Sequence, residues 1–569
     1  MLRDRLLTLY GPDLGERTAD QLEVLLARFR PRLAGREQAG RDGSANDALL
    51  ITYGDTILGS GRAPLAALRE FAARHLEGRV SGIHLLPIFP YSSDYGFSVT
   101  DYLAVRADLG TWADVAALHA DFQLMFDFVL NHVSAESAWF QGFLRGEAPF
   151  RDFFITLDPA TDLSMVTRPR TTPLLTLFET SDGPRWVWTT FGPDQVDLDY
   201  RNPVVLLRML EVMLTYVEHG ADLLRMDAVA YLWKQVGTTC VHLPQTHEVV
   251  KLFRDVLDEV SPQVAIVTET NVPHHDNVSY FGDGRDEAQM VYQFPLAPLV
   301  LDAFASGDAA RLTAWASSLS TPSERTTFFN FLASHDGIGV VPARGLLSAA
   351  EIDRLARRVI AHGGQVSDKA NPDGSASPYE LNATCFDALS DPNDRAEPWS
   401  TKLDRFVCAQ AIMLALAGVP GIYIHSLFGS HNDEAAFARS GWKRDLNHQR
   451  LELAEVESKL SDPASESARV FARYARLLEV RCRQPAFHPR SGQRVLDAGP
   501  GIFALARGPR EGQTLVTLHN VSHAWRLAAA EWPGGPGQWE DVISGERFDP
   551  GSELRLAPYQ VLWLQPSQH

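Results

Sequence analysis

Cysteine is scarce in this sequence: four in 569 residues, namely Cys240, Cys385, Cys408 and Cys482, with no CxxC pair and no Cys/His spacing of a zinc ligand set. That excludes a disulfide scaffold and a thiolate metal centre, and the chain reads as one made for a reducing compartment. Long apolar runs are lacking as well. The start, MLRDRLLTLYGPDLGERTADQ, turns polar after a few residues without the apolar core of a signal peptide. No later stretch reaches the ~18 uncharged apolar residues of a membrane span. The longest candidate, Phe406 to Tyr423, is interrupted by Gly418, Pro420 and Gly421 and reads as a buried helix followed by a strand. The expectation is a cytoplasmic protein with no membrane partner. Positive charge is in deficit too: 52 Lys and Arg against 71 Asp and Glu give a net charge of −19. Such a surface repels nucleic acid and anionic lipid, so an anionic ligand would need dedicated arginines.

What is present is ordinary globular texture, 45% hydrophobic and 22% charged, with enough length for a large core. Eight short apolar runs bounded by turn residues predict strands: Leu49–Tyr53, Gly82–Phe89, Leu124–Asn131, Asp222–Asp227, Val264–Thr268, Gln289–Gln293, Thr327–Ser334 and Gly421–His425. Their near-continuous hydrophobicity suits strands covered on both faces, and segments between them, such as Pro64–His75, Trp112–Phe122, Pro203–His219 and His247–Val260, carry helical periodicity. The economical reading is α/β, a (β/α)8 TIM barrel over 48–486. Two gaps exceed a simple βα unit and predict insertions at 133–221, after the third strand, and at 337–420, after the seventh, roofing the pocket. Residues 1–47 read as a partly helical N-terminal extension outside the barrel. After a helical Ser465–Cys482, the short strands of 487–569 predict a C-terminal all-β sandwich.

A barrel of this kind directs strand ends into one pocket. The third strand ends in Asp127-Phe-Val-Leu-Asn131-His132, the fourth in Arg225-Met-Asp227, the fifth in Glu269 and the seventh in His335-Asp336. A single aspartate there would serve as well as a helix cap, and a single histidine as a core hydrogen bonder. Three acids from three strands, with an arginine and two histidines, point instead to a catalytic cluster.

In order, FDFVLNH (126–132), LLRMDAVAY (223–231), VTETN (267–271) and FLASHDG (331–337) resemble the four signature segments of glycoside hydrolase family 13, the α-amylase superfamily. The resemblance implies Asp227 as nucleophile, Glu269 as general acid/base and Asp336 as stabiliser of the charged transition state, with Arg225 holding Asp227 and with His132 and His335 gripping sugar hydroxyls. Cleaving an α-glucosidic bond passes through an oxocarbenium-like state, so one carboxylate must trap it while a carboxylic acid on the other side protonates the leaving oxygen. The acid has to be kept protonated near neutral pH by burial beside other acids.

PYSSDYGFSVTDYLAVRADLGTWADV (90–115) is similar to the sucrose phosphorylase subfamily. There Asp94 corresponds to the acid that closes the far side of the glucose pocket, and Arg444, in GWKRDLN (441–447), would contact the same sugar. Thr-Arg168-Pro-Arg170 resembles the subfamily's phosphate-binding loop. These likenesses imply a retaining phosphorylase that uses inorganic phosphate as co-substrate, with no cofactor and no metal. The acceptor loop departs from the sucrose phosphorylase pattern. Tyr379 and Asn382 match, but Glu380 stands for a glutamine and Ser377 for an aspartate. With the longer chain, the NPDGSASPYELN loop (371–382) and the LITYGD wording, the sequence looks most like the glucosylglycerate phosphorylase branch, whose acceptor is a small carboxylate that Lys369 or an insertion arginine would pair with. Alternatives are a sucrose, glucosylglycerol or sucrose 6'-phosphate phosphorylase, a hydrolytic α-glucosidase, and an inactive carbohydrate-binding relative, against which the three intact acids speak. Both a monomer and a homodimer are compatible with the sequence.

Overall fold

In a computed structural model, which describes residues 1–35, 47–371, 375–528, 538–549 and 554–567, each of the eight apolar runs forms a strand. They are β1 (Leu49–Thr52), β2 (Gly82–Leu85), β3 (Gln123–Val129), β4 (Ala221–Asp227), β5 (Ala265–Thr268), β6 (Met290–Tyr292), β7 (Thr327–Phe331) and β8 (Val419–Tyr423). Adjacent strands pair in parallel and β8 returns to β1, closing the predicted TIM barrel. Closure removes both sheet edges, and helices cover the outer face, which is why Leu124 to Val129 are all buried rather than alternately exposed. In the β3–β4–β5 register, Arg225 lies between Asp127 and Val267, and Asp227 faces Val129 at the mouth.

Local sequence explains where the barrel helices begin. Pro64 and Pro203 open the helices Pro64–His75 and Pro203–Glu218, where proline's fixed φ fits and its missing N–H costs no bond. Asn202 caps the second of these, accepting from the Val204 N–H at 3.0 Å.

The chain leaves this repeat in three places, all on the C-terminal side of a strand. Of the segment 133–221, the last part is the barrel helix Pro203–Glu218. The excursion proper contains the antiparallel pair His132–Ser134 with Gln195–Asp197 and a three-stranded sheet over Thr156–Leu157, Leu175–Thr180 and Gly183–Trp188. Of 337–420, Trp399–Ala415 is likewise the barrel helix leading to β8, and the excursion carries a three-stranded sheet of Ile338–Gly339, Gln365–Ala370 and Ala376–Asn382. Positions 372–374 of the acceptor loop lie outside the described residues. The third departure follows β8, where the helix Glu434–Ser440 and the turn Lys443–Asn447 bring Arg444 back over the mouth. No composition shift or long gap in the sequence marks this departure.

The C-terminal part is antiparallel β: a six-stranded sheet that includes Gln493–Asp497, Ile502–Arg510, Gln513–Asn520 and Val561–Pro566, with a separate pair, Arg526–Ala528 and Leu554–Leu556. Its own core gathers Leu496, Val516, Leu518, Trp539, Leu562 and Leu564. At the other end of the chain, Leu2–Leu33 is helical with a break at Gly11, whose φ of 74° no other residue type adopts so readily. This helix buries Leu6, Leu22, Leu26 and Phe29 against the barrel helices Pro203–Glu218 and Pro244–Val260. Residues 36–46 of the predicted extension lie outside the described residues.

Candidate active site

The floor of the barrel mouth is a buried charge network. Arg225 and Asp227 are two residues apart on β4, so both side chains point inward, and the guanidinium donates from Nη1 to Asp227 Oδ1 at 2.8 Å. The same guanidinium pairs with Asp127, which also bonds His84 Nε2 at 2.9 Å, and stands 3.8 Å from Glu269 Oε2. Immediately after Asp227, Ala228 takes a left-handed φ of 51°, a conformation that costs about 1–2 kcal/mol in a residue with a Cβ. The N–H of this strained residue donates to Glu269 Oε2 at 3.2 Å, tying the fourth and fifth strand ends together.

The acids are set apart electrostatically. Burial pushes Glu269 up to about 7, with the charges of Asp227 and Asp336 adding to the shift against the pull of Arg225. Asp227 is also raised by burial, opposed by Arg225 and His132. For Asp336 burial is overcome by Arg444, His335, Arg225 and Arg170, which hold it below the ordinary carboxylate range. Burial takes His335 down to about 3, so it is a neutral hydrogen bonder at any working pH. The arrangement sets a proton-holding Glu269 against an ionised Asp336, while Arg225 favours the charged form of Asp227 between them, as acid/base and nucleophile roles require.

Above the acids, Arg444 joins two loops, forming an ion pair with Asp336 Oδ1 at 2.5 Å and donating to Asp94 Oδ1 at 3.1 Å. Asp94 sits at a φ of 51° and is braced from the other side by Gln195 Nε2 at 3.0 Å. Gln195 also meets His132 Nε2 at 3.3 Å, and that nitrogen lies 3.0 Å from the Phe97 carbonyl. Behind them Lys234 bonds Asp197 and Asn131, each at 2.7 Å, fixing the strand that carries Gln195 to the end of β3. The result is a polar cavity at the barrel mouth, with the Asp94–Arg444 pair forming part of its wall.

The sequence pattern described as alpha amylase, catalytic domain, matches residues 77–345. The chain is 50% identical to a glucosylglycerate phosphorylase of Allomeiothermus silvanus over 99% of its own length and 98% of the relative's. It is 43% identical to one of Escherichia coli over 99% of each, and 31% identical to a sucrose phosphorylase of Agrobacterium vitis over 78% of this chain and 89% of that one. Among solved structures, a sucrose 6F-phosphate phosphorylase from Thermoanaerobacter thermosaccharolyticum superposes with a TM-score of 0.73 at 24% identity, covering 91% of this chain and 99% of that one. The chain belongs to glycoside hydrolase family 13, in its sucrose phosphorylase branch.

In this family 13 barrel, eleven of the thirteen residues singled out in the sequence line one cavity: Asp94, His132, Arg170, Arg225, Asp227, Glu269, His335, Asp336, Tyr379, Glu380 and Arg444. The other two lie elsewhere. Arg168 is exposed and its guanidinium folds back onto the carbonyls of Thr171 and Thr172, so of the Arg-Pro-Arg pair only Arg170 turns inward. Asn382 faces the adjoining outer vestibule and donates to Ser367 Oγ at 3.0 Å. Lys369 lines neither space, whereas Arg170 lines both. Sequence reasoning missed Gln195, Phe97 and Tyr231. Gln195 sits on a three-residue strand inside the insertion, where no run or motif marks it. Tyr231 was within reach, since it ends the LLRMDAVAY segment.

Proposed function

We propose that this chain is a glucosylglycerate phosphorylase, converting glucosylglycerate and inorganic phosphate reversibly into α-glucose 1-phosphate and glycerate. One observation carries the choice of acceptor. Identity to three glucosylglycerate phosphorylases is 43–50% along practically the whole chain, whereas sucrose phosphorylases reach 26–31% over about three quarters of it.

The geometry supports a double displacement. Asp227, held by Arg225, attacks the anomeric carbon of a glucose ring lodged between Asp336, His132, His335 and the Asp94–Arg444 pair. Glu269, which its pKa of about 7 keeps about half protonated at neutral pH, gives its proton to the departing glycerate oxygen, and the C1–O bond breaks as the bond from Asp227 to C1 forms. In the second step a phosphate oxygen attacks C1 from the vacated face, the ester bond to Asp227 breaks, and two inversions give net retention. Arg170 supplies the cation for the incoming anion, with paired donors that fit a phosphate.

The test is product analysis with glucosylglycerate, sucrose and glucosylglycerol, each with and without phosphate. The expected product is α-glucose 1-phosphate, formed fastest from glucosylglycerate. Fast turnover of sucrose with none of glucosylglycerate overturns the acceptor, and free glucose as sole product overturns phosphorolysis.

A further inference from the structure

Between the sugar pocket and the outer vestibule stands a carboxylate with no partner. Glu380 borders both spaces and is only 6% exposed, and among the described residues its carboxylate accepts no hydrogen bond and forms no ion pair. It sits on Ala376–Asn382, whose edge is pressed against the residue after Asp336: Gly339 faces Glu380 in the sheet register, and a Cβ on Gly337 would meet the Glu380 Cβ at 2.9 Å. The charged and titratable groups around it are Arg170 from the first insertion, Arg444 from the loop after β8, Asp336 after β7, Asp94 after β2, and Tyr379 beside it. Arg444 is already taken by Asp94 and Asp336. Lys443, the other cation of the vestibule, donates to the Val366 carbonyl at 2.6 Å. Among the described residues, Arg170 is therefore the cation at this wall with no hydrogen bond or ion pair to protein, its guanidinium lying 5.8 Å from the centre of the Tyr379 ring.

Charge balance then poses a problem for the established geometry. A phosphate dianion or a glycerate carboxylate entering beside Arg170 must approach Glu380, and two anions in contact inside a barrel mouth repel by several kcal/mol at low effective dielectric. One cation cannot compensate both. A protonated Glu380 removes the repulsion and turns the same oxygen into a donor. Burial already favours that form, raising Glu380 above the ordinary carboxylate range against the pull of Arg170 and Arg444.

We propose that Glu380 binds the incoming oxyanion as a carboxylic acid, donating its O–H to a phosphate or carboxylate oxygen beside Arg170, so that anion and proton enter the acceptor space together. The proton comes from solvent and returns to it when the anion leaves. No bond to carbon is involved, and Glu269 keeps its own proton for the glycosidic oxygen. This deepens the phosphorylase reading and rests on it. The amide of a glutamine at this position would donate equally at every pH. Glu380 instead makes anion use depend on pH.

The experiment uses α-glucosyl fluoride as donor, which forms the glucosyl-enzyme whatever the natural acceptor is, and measures KM for inorganic phosphate from pH 5.5 to 8.5 in the wild-type protein and in Glu380→Gln. The variant carries the titration of phosphate itself and of all other groups, so the difference between the two profiles isolates Glu380. One coupled proton makes the wild-type KM rise about tenfold more per pH unit than that of the variant once Glu380 ionises. Glycerate, which does not titrate in this range, serves as a second acceptor and separates carboxylate from phosphate chemistry. Parallel profiles with both acceptors overturn the proposal. Should Glu380→Gln be inactive, calorimetric titration of the wild-type protein with glycerate or phosphate at pH 8, in two buffers of different ionisation heat, decides: about one proton taken up beyond the anion's own supports it and none overturns it. A protein that makes no glucose 1-phosphate from the fluoride overturns the phosphorylase reading instead.

Discussion

Arg168 and Arg170 are two residues apart in one loop, yet only one of them faces the cavity. Arg170→Ala removes charge-assisted hydrogen bonds, worth about 1.5–3 kcal/mol, from the bound anion. The expected result is a KM for phosphate raised about tenfold or more, with hydrolysis of glucosyl fluoride changed far less. Arg168→Ala should leave KM within about twofold, because its guanidinium is engaged with the carbonyls of its own loop. Steady-state kinetics on the two variants checks both. Glu269 invites a different measurement. Its native pKa of about 7 lies above the ordinary 4.5, so the folded state binds the proton more tightly than the unfolded chain. Stability is therefore lost as pH rises from about 4.5 to about 7 and stays lost above that. Glu269→Gln abolishes this penalty. It should be more stable than the wild type at pH 8, by something on the order of 3 kcal/mol, with the difference shrinking toward pH 4.5. Turnover of glucosylglycerate should fall by about 10²–10⁴ while the fluoride, whose leaving group needs no proton donor, is spared. Equal urea midpoints at pH 8 would contradict the burial argument.

At the scale of elements, the strand Ala376–Asn382 owes its position to a glycine. A side chain at Gly337 would come within 2.8 Å of Asn382 Oδ1 and 2.9 Å of the Glu380 Cβ. Gly337→Ala should therefore push the acceptor strand outward and raise KM for phosphate and glycerate several-fold. Competitive inhibition by glucose, whose proposed place is among Asp227, His132 and His335, should change little; a variant with unaltered acceptor KM would show that the strand is held by something else. The same comparison explains what the sequence revealed. The eight barrel strands were legible because burial on both faces writes a continuous apolar run, and because the acids at their ends break it abruptly. Asp227 and Arg225 share a strand, so their mutual bond could be read from spacing alone. Gln195 could not, because it acts by meeting Asp94 and His132, 101 and 63 residues away, across a contact that only the folded insertion creates. The different fates of Arg168 and Arg170 escaped for a related reason: the direction of a side chain in an irregular loop has no period to betray it.

For the whole molecule, the net charge of −19 and the use of anionic substrates are reconciled by segregation: the acids of the mouth are matched by Arg225 and Arg444, and Arg170 is left over. The joint between barrel and C-terminal sheet uses arginine in another way. Arg507 is fully buried, and it donates to the Ala415 carbonyl at 2.6 Å and the His488 carbonyl at 3.0 Å. Burial, with the charge of Arg481 adding to it, brings its pKa down to about 9. Ala415 ends the helix Trp399–Ala415, where the macrodipole presents negative charge, so the guanidinium serves as a cap provided by the other sheet. Two effects oppose each other in Arg507→Met. The variant escapes the cost of burying a cation, but it strands at least two buried carbonyls at about 1–3 kcal/mol each and shortens the side chain that fills the joint. Because Arg507 is fully buried where it meets these carbonyls, the second effect should win, and stability should fall by about 2–4 kcal/mol in urea titrations with activity retained below the transition. A variant as stable as the wild type would mean that desolvation of the guanidinium cancels its bonds, and that the joint is held by its apolar packing and by its other polar contacts, such as Arg405 to Tyr559 and Arg476 to the Ile543 carbonyl.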